Sequence, residues 1–271
     1  MIQFEIPYNF DPYYVDTLKN CNLINDYIKY IYIAPFKDDY TTIIRHDVYG
    51  AKFLTREEYV KHMQKIRYYF NGKMQLLLQK KDKLMPLETL KWYINLGFTA
   101  FCCGNVEQAK MIKNYDPSLT VIGSIVLHVT NQDILENKDY QNFFDVFVLD
   151  FSYGRSLTKI KNMPDTKKYM ILANSTCHVN CDGDHHWNVT KEFAKIHCPG
   201  RYPREHQNFN DTVLIRPMDL HFFEPYIDTF KMQDRSWPTW SIINDLIMYE
   251  TDYTTYPGIQ YDEGMYDTRD Y

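Results

Sequence analysis

The sequence lacks a long apolar run and a strong excess of charge of either sign. No stretch of about 18 apolar residues is present to span a bilayer, and no charged-then-apolar signal stands at the N-terminus. A net charge of -5 argues against a surface that binds nucleic-acid phosphates broadly. We therefore expect a soluble, cytoplasmic protein with no membrane span and no broad nucleic-acid surface.

Glycine is scarce, at 10 of 271 residues, and no glycine-rich turn follows the first strand-like segment. This absence argues against an open, doubly wound nucleotide-binding sheet, which uses such a turn to hold phosphates. The six cysteines are not needed to form disulfides, because a chain of this length buries a full core without them. We interpret them as reduced thiols that act as ligands or as small buried residues.

Apolar strand-like runs alternate with helical patterns along the chain. The only Asn-Gly pair, Asn71-Gly72, falls between a helix and a strand and not between two strands. Strands separated by helices run parallel, and eight of them close into a barrel. The predicted strands cover residues 30–34, 74–78, 98–102, 119–125, 144–149, 169–173, 212–215 and 227–232.

These runs predict an α/β fold, a (β/α)8 TIM-type barrel. We expect one domain over residues 1–249, with the barrel proper at about 30–249. The first 28 residues mix prolines, aromatics and a short helical pattern, which predicts an N-terminal segment that covers one end of the barrel from outside. Residues 250–271 are acidic, rich in tyrosine and without helical period, so we expect an extended tail.

Three of the six cysteines and four of the nine histidines crowd into the segment from Cys177 to Cys198. The spacing Cys-x3-Cys-x16-Cys differs from the Cys-x2-Cys of zinc knuckles. Three thiolates with an incomplete fourth partner fit an iron-sulfur cluster, so we predict Cys177, Cys181 and Cys198 as metal ligands. The fourth ligand of the cluster is Cys102, Cys103 or a histidine, or the fourth position is open. A zinc site and a solvated loop are the competing interpretations.

In a barrel of this type the chemistry lies where strands end and helices begin. On that rule we predict Asn174, His185 and His186 as catalytic residues. Charged side chains at the same ends suit a carboxylate or phosphate group of a substrate. The predicted substrate-binding residues are Arg45, His46, Arg216, Lys231 and Arg235.

Four of these residues are expected to converge in one mouth of the barrel, because each is placed at or just after a strand's carboxyl end. They are Asn174, Arg45, Arg216 and Lys231. For Lys231 and Arg235 the competing interpretation is an ion pair with a nearby aspartate, Asp228 or Asp234.

Several motifs occur in an order that resembles a known family. They are Asn174-x2-Cys177-x3-Cys181-x3-His185-His186, Ile215-Arg216-Pro217-x-Asp219-Leu220, Phe230-Lys231-x3-Arg235, and Arg155-x-Leu157 after Val148-Leu149-Asp150. Over about residues 30–249 the chain resembles the collagenase-like peptidase family U-32. The resemblance implies a TIM-type barrel and, as in the better understood branches, a 4Fe-4S cluster held by cysteines.

Those branches hydroxylate ubiquinone precursors or RNA bases without oxygen. The resemblance therefore implies redox modification of a small aromatic or nucleobase-like substrate, with an electron-transfer or other partner protein. The chain departs from this branch at Asp182-Gly183-Asp184, where a proline and an arginine are usual. Two acids beside two histidines also favour a harder metal such as Fe(II), and zinc held by cysteine and histidine is the other alternative. The alternatives are a zinc-dependent hydrolase or peptidase-like protein, and a non-catalytic barrel used as a binding scaffold.

Overall fold

The computed structural model describes residues 2–24, 26–38, 40–41, 51–150, 153–154, 156–175, 214–233 and 238–251. Within these ranges eight parallel strands form a closed barrel in sequence order, which confirms the predicted fold class. The strands are β1 Phe4–Pro7, β2 Ile28–Ile33, β3 Met74–Leu78, β4 Phe98–Cys103, β5 Thr120–Gly123, β6 Val146–Val148, β7 Lys168–Leu172 and β8 Thr229–Lys231.

The number of strands is as predicted, but the identity of one strand is corrected. β1 comes from the N-terminal segment, which we expected outside the barrel; Glu5 pairs with Tyr30 of β2 and with Lys231 of β8. Conversely, Leu214 and Ile215, predicted as part of a strand, form none. The four residues of β1 include a charge and a proline, so their sequence shows no strand pattern, although a proline is tolerated at a strand end.

Helices surround the barrel and follow the strands in the order that the alternation predicted. Thr55 begins the long second helix with a capping box, in which its hydroxyl accepts a hydrogen bond from the backbone nitrogen of Glu58 at 3.2 Å. The described α-helices are α1 Tyr14–Asn20, α2 Arg56–Tyr69, α3 Leu87–Leu96, α4 Val106–Tyr115, α5 Asn131–Glu136, α6 Lys138–Phe143, α7 Leu157–Lys161, α8 Leu220–Phe223 and α9 Thr239–Glu250.

The strands bury both of their faces, as expected for a parallel barrel wrapped in helices. Outward-facing residues such as Ile31, Leu76 and Phe101 pack against the helices in the larger core. Inward-facing residues such as Leu77 and Ile122 fill a second, smaller core inside the barrel. Among the described helices, none is long and apolar enough to cross a membrane.

Candidate functional site

The interior of the barrel has an apolar wall and a polar wall. On the apolar wall, β4 to β7 contribute Ala100, Cys102, Ile122, Val146, Val148, Met170 and Leu172. On the polar wall, β8, β1, β2 and β3 contribute the buried side chains of Lys231, Glu5, Tyr32 and Gln75. Because burying polar and charged groups costs free energy unless they are well paired, the polar wall is a candidate functional region.

Lys231 and Glu5 form the centre of the polar wall. Lys231 Nζ pairs with Glu5 Oε1, and the two side chains are 8% and 0% exposed. Gln75 Nε2 donates to the same carboxylate oxygen at 3.1 Å. Lys231 Nζ also lies 3.8 Å from the centroid of the Tyr32 ring, a cation–π contact. Lys231 is thus at the carboxyl end of β8 as predicted, but its ionic partner is Glu5, whereas Asp228 pairs with Lys29 and Lys168.

Two buried acceptor atoms in this wall have no hydrogen-bond partner within the described part of the chain. They are Glu5 Oε2 and Gln75 Oε1. A buried acceptor left unsatisfied costs about 1–3 kcal/mol, so native proteins seldom retain one without a donor. The polar wall therefore has hydrogen-bonding capacity left for a donor group.

Asn174, predicted as catalytic, ties the ends of two strands to a helix. Its Nδ2 donates to the backbone oxygen of Gln233 at 2.6 Å and to Asp245 Oδ2 at 3.0 Å. Its Oδ1 accepts from the backbone nitrogen of Gln233 at 2.5 Å. Both amide hydrogens are engaged, so the structure gives Asn174 a positioning role at the ends of β7 and β8, and a catalytic role stays a prediction.

Arg216, predicted to bind substrate, forms a two-point ion pair with Asp219. Nε donates to Oδ2 at 2.6 Å and Nη2 donates to Oδ1 at 3.2 Å, and the side chains are 10% and 4% exposed. Arg216 has extended backbone geometry, as is usual for a residue that precedes proline. The neighbouring Ile215 nitrogen donates to the oxygen of Ala173 at 2.9 Å, which places this turn at the carboxyl end of β7.

The expected convergence of four residues is met in part. Lys231, Asn174 and Arg216 all lie at the carboxyl ends of β7 and β8. Lys231 extends into the barrel to Glu5, while Asn174 and Arg216 bind acidic residues at the ends of β7 and β8. Arg45 lies outside the described residues.

Polar side chains also extend the inward-facing rows of β3 and β5 at the mouth. Gln79 continues the row of Gln75 and Leu77, and its Nε2 donates to Ser124 Oγ at 3.3 Å. The two side chains meet across the end of β4, because Gly104 at that end has no side chain to separate them. A Cβ atom on Gly104 would meet the backbone oxygen of Gln79 at 2.2 Å, so only glycine allows this approach.

His128 and Asp150 form a second polar pair at the mouth. Asp150 is two residues beyond Val148, so it continues the inward-facing row of β6. His128 ends the short turn Ile125–Leu127 that follows β5. Its Nδ1 lies 2.7 Å from Asp150 Oδ2, and the two side chains are 28% and 14% exposed. Asp150 directly follows the predicted strand at residues 144–149, so the strand-end rule includes it, but nothing in the local pattern pointed to His128.

Cys102 and Cys103, both predicted as candidates for the fourth cluster ligand, face different cores of the protein. Cys102 belongs to the inner core, while Cys103 belongs to the core between barrel and helices. Successive side chains on a strand point to opposite faces, so only one of the two can face the interior. Burial raises the pKa of the Cys102 thiol to about 12, and it raises the pKa of Cys103 as well.

All three predicted metal ligands and both predicted catalytic histidines lie outside the described residues. They are Cys177, Cys181, His185, His186 and Cys198, and the substrate-binding predictions Arg45, His46 and Arg235 are outside as well. Within the ranges that the structure describes, no three His, Cys, Asp or Glu side chains gather as a metal-binding group. Sequence reasoning also missed Glu5 and Gln75, whose only signal was a polar residue within a short apolar run.

Comparisons with known proteins identify the fold. No protein-family model matches the sequence, and no curated protein matches it. Among solved structures, the chain is similar to the U32 peptidase Mk0906, with a TM-score of 0.55 and 12% identity over 86% of this chain and 93% of that chain. It is also similar to phosphonopyruvate hydrolase in complex with oxalate and Mg, with a TM-score of 0.45 and 9% identity over 92% of this chain and 80% of that chain. The protein has a TIM-type barrel fold like that of a U32 peptidase, and at these identities the similarity shows the fold alone.

Proposed function

We propose that this chain is an iron-sulfur barrel enzyme of the U-32-like type. In this proposal it carries out redox modification, in particular oxygen-independent hydroxylation, of a small aromatic or nucleobase-like substrate at the carboxyl end of the barrel. A 4Fe-4S cluster held by Cys177, Cys181 and Cys198 would supply electron transfer when bound.

The observation that carries this proposal is where the cysteine segment is anchored. The described chain leaves β7 through Asn174 and the buried Ser175, and Cys177 follows two residues later in the sequence. The described chain resumes at Leu214, and the backbone nitrogen of Ile215 donates a hydrogen bond to the oxygen of Ala173 at 2.9 Å. The described residues on both sides of the cysteine segment thus lie at the carboxyl end of β7, where the Asn174 contacts fix the backbone. This supports a cluster at the barrel mouth, where TIM barrels carry their chemistry.

The chemistry of the donor set supports a soft metal centre. Thiolates are the usual ligands of iron-sulfur clusters. Of the described cysteines, Cys102 faces the barrel interior, so it is better placed as a fourth ligand than Cys103, which faces the helices. Because burial raises the pKa of Cys102, metal binding would have to displace the thiol proton, as it does for other ligand thiols.

The polar wall favours an enzyme over a passive scaffold. An apolar interior of the same volume would be at least as stable as a buried ion pair with unsatisfied acceptors beside it. Glu5 Oε2 and Gln75 Oε1 are suited to accept hydrogen bonds from N–H or O–H groups of a substrate, and Lys231 is suited to an anionic edge. These residues would hold and orient a substrate below a cluster at the mouth.

Anaerobic purification followed by iron, sulfide and zinc analysis tests the proposal. Iron and sulfide in similar amounts, with broad visible absorbance, are the expected result. Zinc without sulfide would favour the hydrolase, and a protein without bound metal would favour the scaffold. Either of these two results contradicts the cluster enzyme.

A further inference from the structure

The pairing of His128 with Asp150 is a feature that the proposed cluster chemistry does not use. The two residues come from neighbouring strand ends, after β5 and β6, on the side of the mouth opposite the Lys231–Glu5 wall. Both side chains are partly exposed, at 28% and 14%, so they are neither buried core residues nor freely solvated. This is the setting in which barrel enzymes place acid and base groups.

The contact determines what the imidazole ring can do. Asp150 Oδ2 lies 2.7 Å from Nδ1, so the carboxylate favours a proton on Nδ1 and leaves the lone pair on Nε2. A carboxylate on Nδ1 also stabilises the imidazolium that forms when Nε2 gains a proton. The pair therefore has the arrangement of a general base with its orienting acid.

The backbone at His128 is left-handed where the short turn Ile125–Leu127 ends. His128 has φ 50° and ψ 44°, in the left-handed region that non-glycine residues seldom adopt. Such a conformation is kept where the surroundings require it, often at functional sites. The turn that precedes it is fixed to the barrel, because Ile125 and Val126 pack in the inner core.

We propose that His128 and Asp150 are a proton-transfer pair at the barrel mouth. Nε2 of His128 accepts a proton from an O–H, N–H or acidic C–H group of the bound substrate, and the electron pair of that bond stays on the substrate. Asp150 is a positioning residue that holds the ring and stabilises its charged form. The inference rests on the proposed function only in taking the mouth as the reaction site, and it does not require the cluster.

Diethyl pyrocarbonate is a probe of this pair, because it acylates the free lone pair of an imidazole nitrogen. The rate at each histidine is measured by mass spectrometry on the metal-free and the metal-loaded full chain. His221 is a matched internal control: it is exposed and its Nδ1 lies 2.7 Å from a backbone oxygen, that of Met218, in place of a carboxylate. Exposure alone would make His221 the faster of the two.

The rates are compared at a pH well above the ordinary pKa of histidine, so that the fraction of neutral imidazole does not limit them. There we expect His128 to react at least as fast as His221, and Asp150→Asn to slow His128 by about tenfold while leaving His221 unchanged. Asp82→Asn, at an exposed position, is the control variant and should change neither rate. Circular dichroism and thermal unfolding establish that the variants are folded. An unreactive His128, or a rate that Asp150→Asn leaves unchanged, overturns the proposal. A failure of the cluster analysis would leave this result untouched, so the two failures are distinguishable.

Discussion

Lys231 on β8 and Glu5 on β1 form a buried ion pair across the seam where the last strand of the barrel meets the first. The pair thus links the first and the last strand of the barrel. It also brings a charge into a barrel interior whose opposite wall is apolar. The same two residues therefore connect the first and last strands and give one wall of the interior its charge.

The first prediction concerns this pair. Lys231→Met leaves the Glu5 carboxylate buried without its cation, so we expect the free energy of unfolding to fall by about 3–5 kcal/mol. The double variant Glu5→Leu/Lys231→Met removes both charges and should recover most of that loss. Urea denaturation measures both effects. Lys91→Met, which breaks an exposed pair with Glu88, is the control and should change little. A single variant as stable as the unmodified chain would show that the pair is not buried.

The second prediction concerns the amide of Asn174. Asn174→Ala removes two donated hydrogen bonds and one accepted bond, so the free energy of unfolding should fall by about 1–3 kcal/mol. Asn174→Asp should lower the free energy of unfolding further at neutral pH, because it places a carboxylate next to Asp245 and the oxygen of Gln233. Denaturant unfolding measures the loss, and Asn95→Ala, on an exposed position of α3, is the control. Equal stability of the aspartate and alanine variants would contradict the observed contacts.

The third prediction concerns the proposed cluster. Cys177→Ala should abolish iron and sulfide content after anaerobic purification, while the barrel remains folded by circular dichroism. Cys21→Ala is the matched control, because Cys21 is exposed at the end of α1 and is not a predicted ligand. If Cys177→Ala keeps its full iron content, the ligand assignment is wrong.

The fourth prediction concerns stability at alkaline pH. The Cys102 thiol has its pKa raised by burial to about 12 from 9.0, and burial also raises the pKa of Tyr8 and Tyr14. The folded state keeps these protons while the unfolded state loses them, so the stabilisation is complete below about pH 9 and is lost as pH rises further. Each such group adds about 1.4 kcal/mol per pH unit to the slope.

Urea unfolding at a series of pH values from 8 to about 11 measures this slope. Cys102→Ala should make the slope shallower above pH 9, whatever it does to the stability at pH 8, because one of the shifted groups is gone. Cys21→Ala, at the exposed cysteine, should leave the slope unchanged. A slope that Cys102→Ala does not alter would show that the thiol ionises equally in both states.

Much of the fold could be predicted from local patterns in the sequence. The apolar runs of β3 and β4, the capping box at Thr55 and the stop at Gly97 each depend on residues close together in the chain. Alternation of strands and helices then required parallel pairing, and eight strands required closure. The strand-end rule also placed Asp150, Asn174 and Lys231 at the carboxyl end.

The tertiary structure alone decided which of these residues meet. β1 has too short and too polar a run to be recognised locally, and it is a strand because β2 and β8 both offer it backbone partners. The pairs Lys231–Glu5 and Asn174–Asp245 join residues far apart in the chain, and His128 reaches Asp150 from a different strand end. Local periodicity determines which face a side chain takes, whereas its partner across the barrel depends on strand register and closure, which only the assembled fold provides.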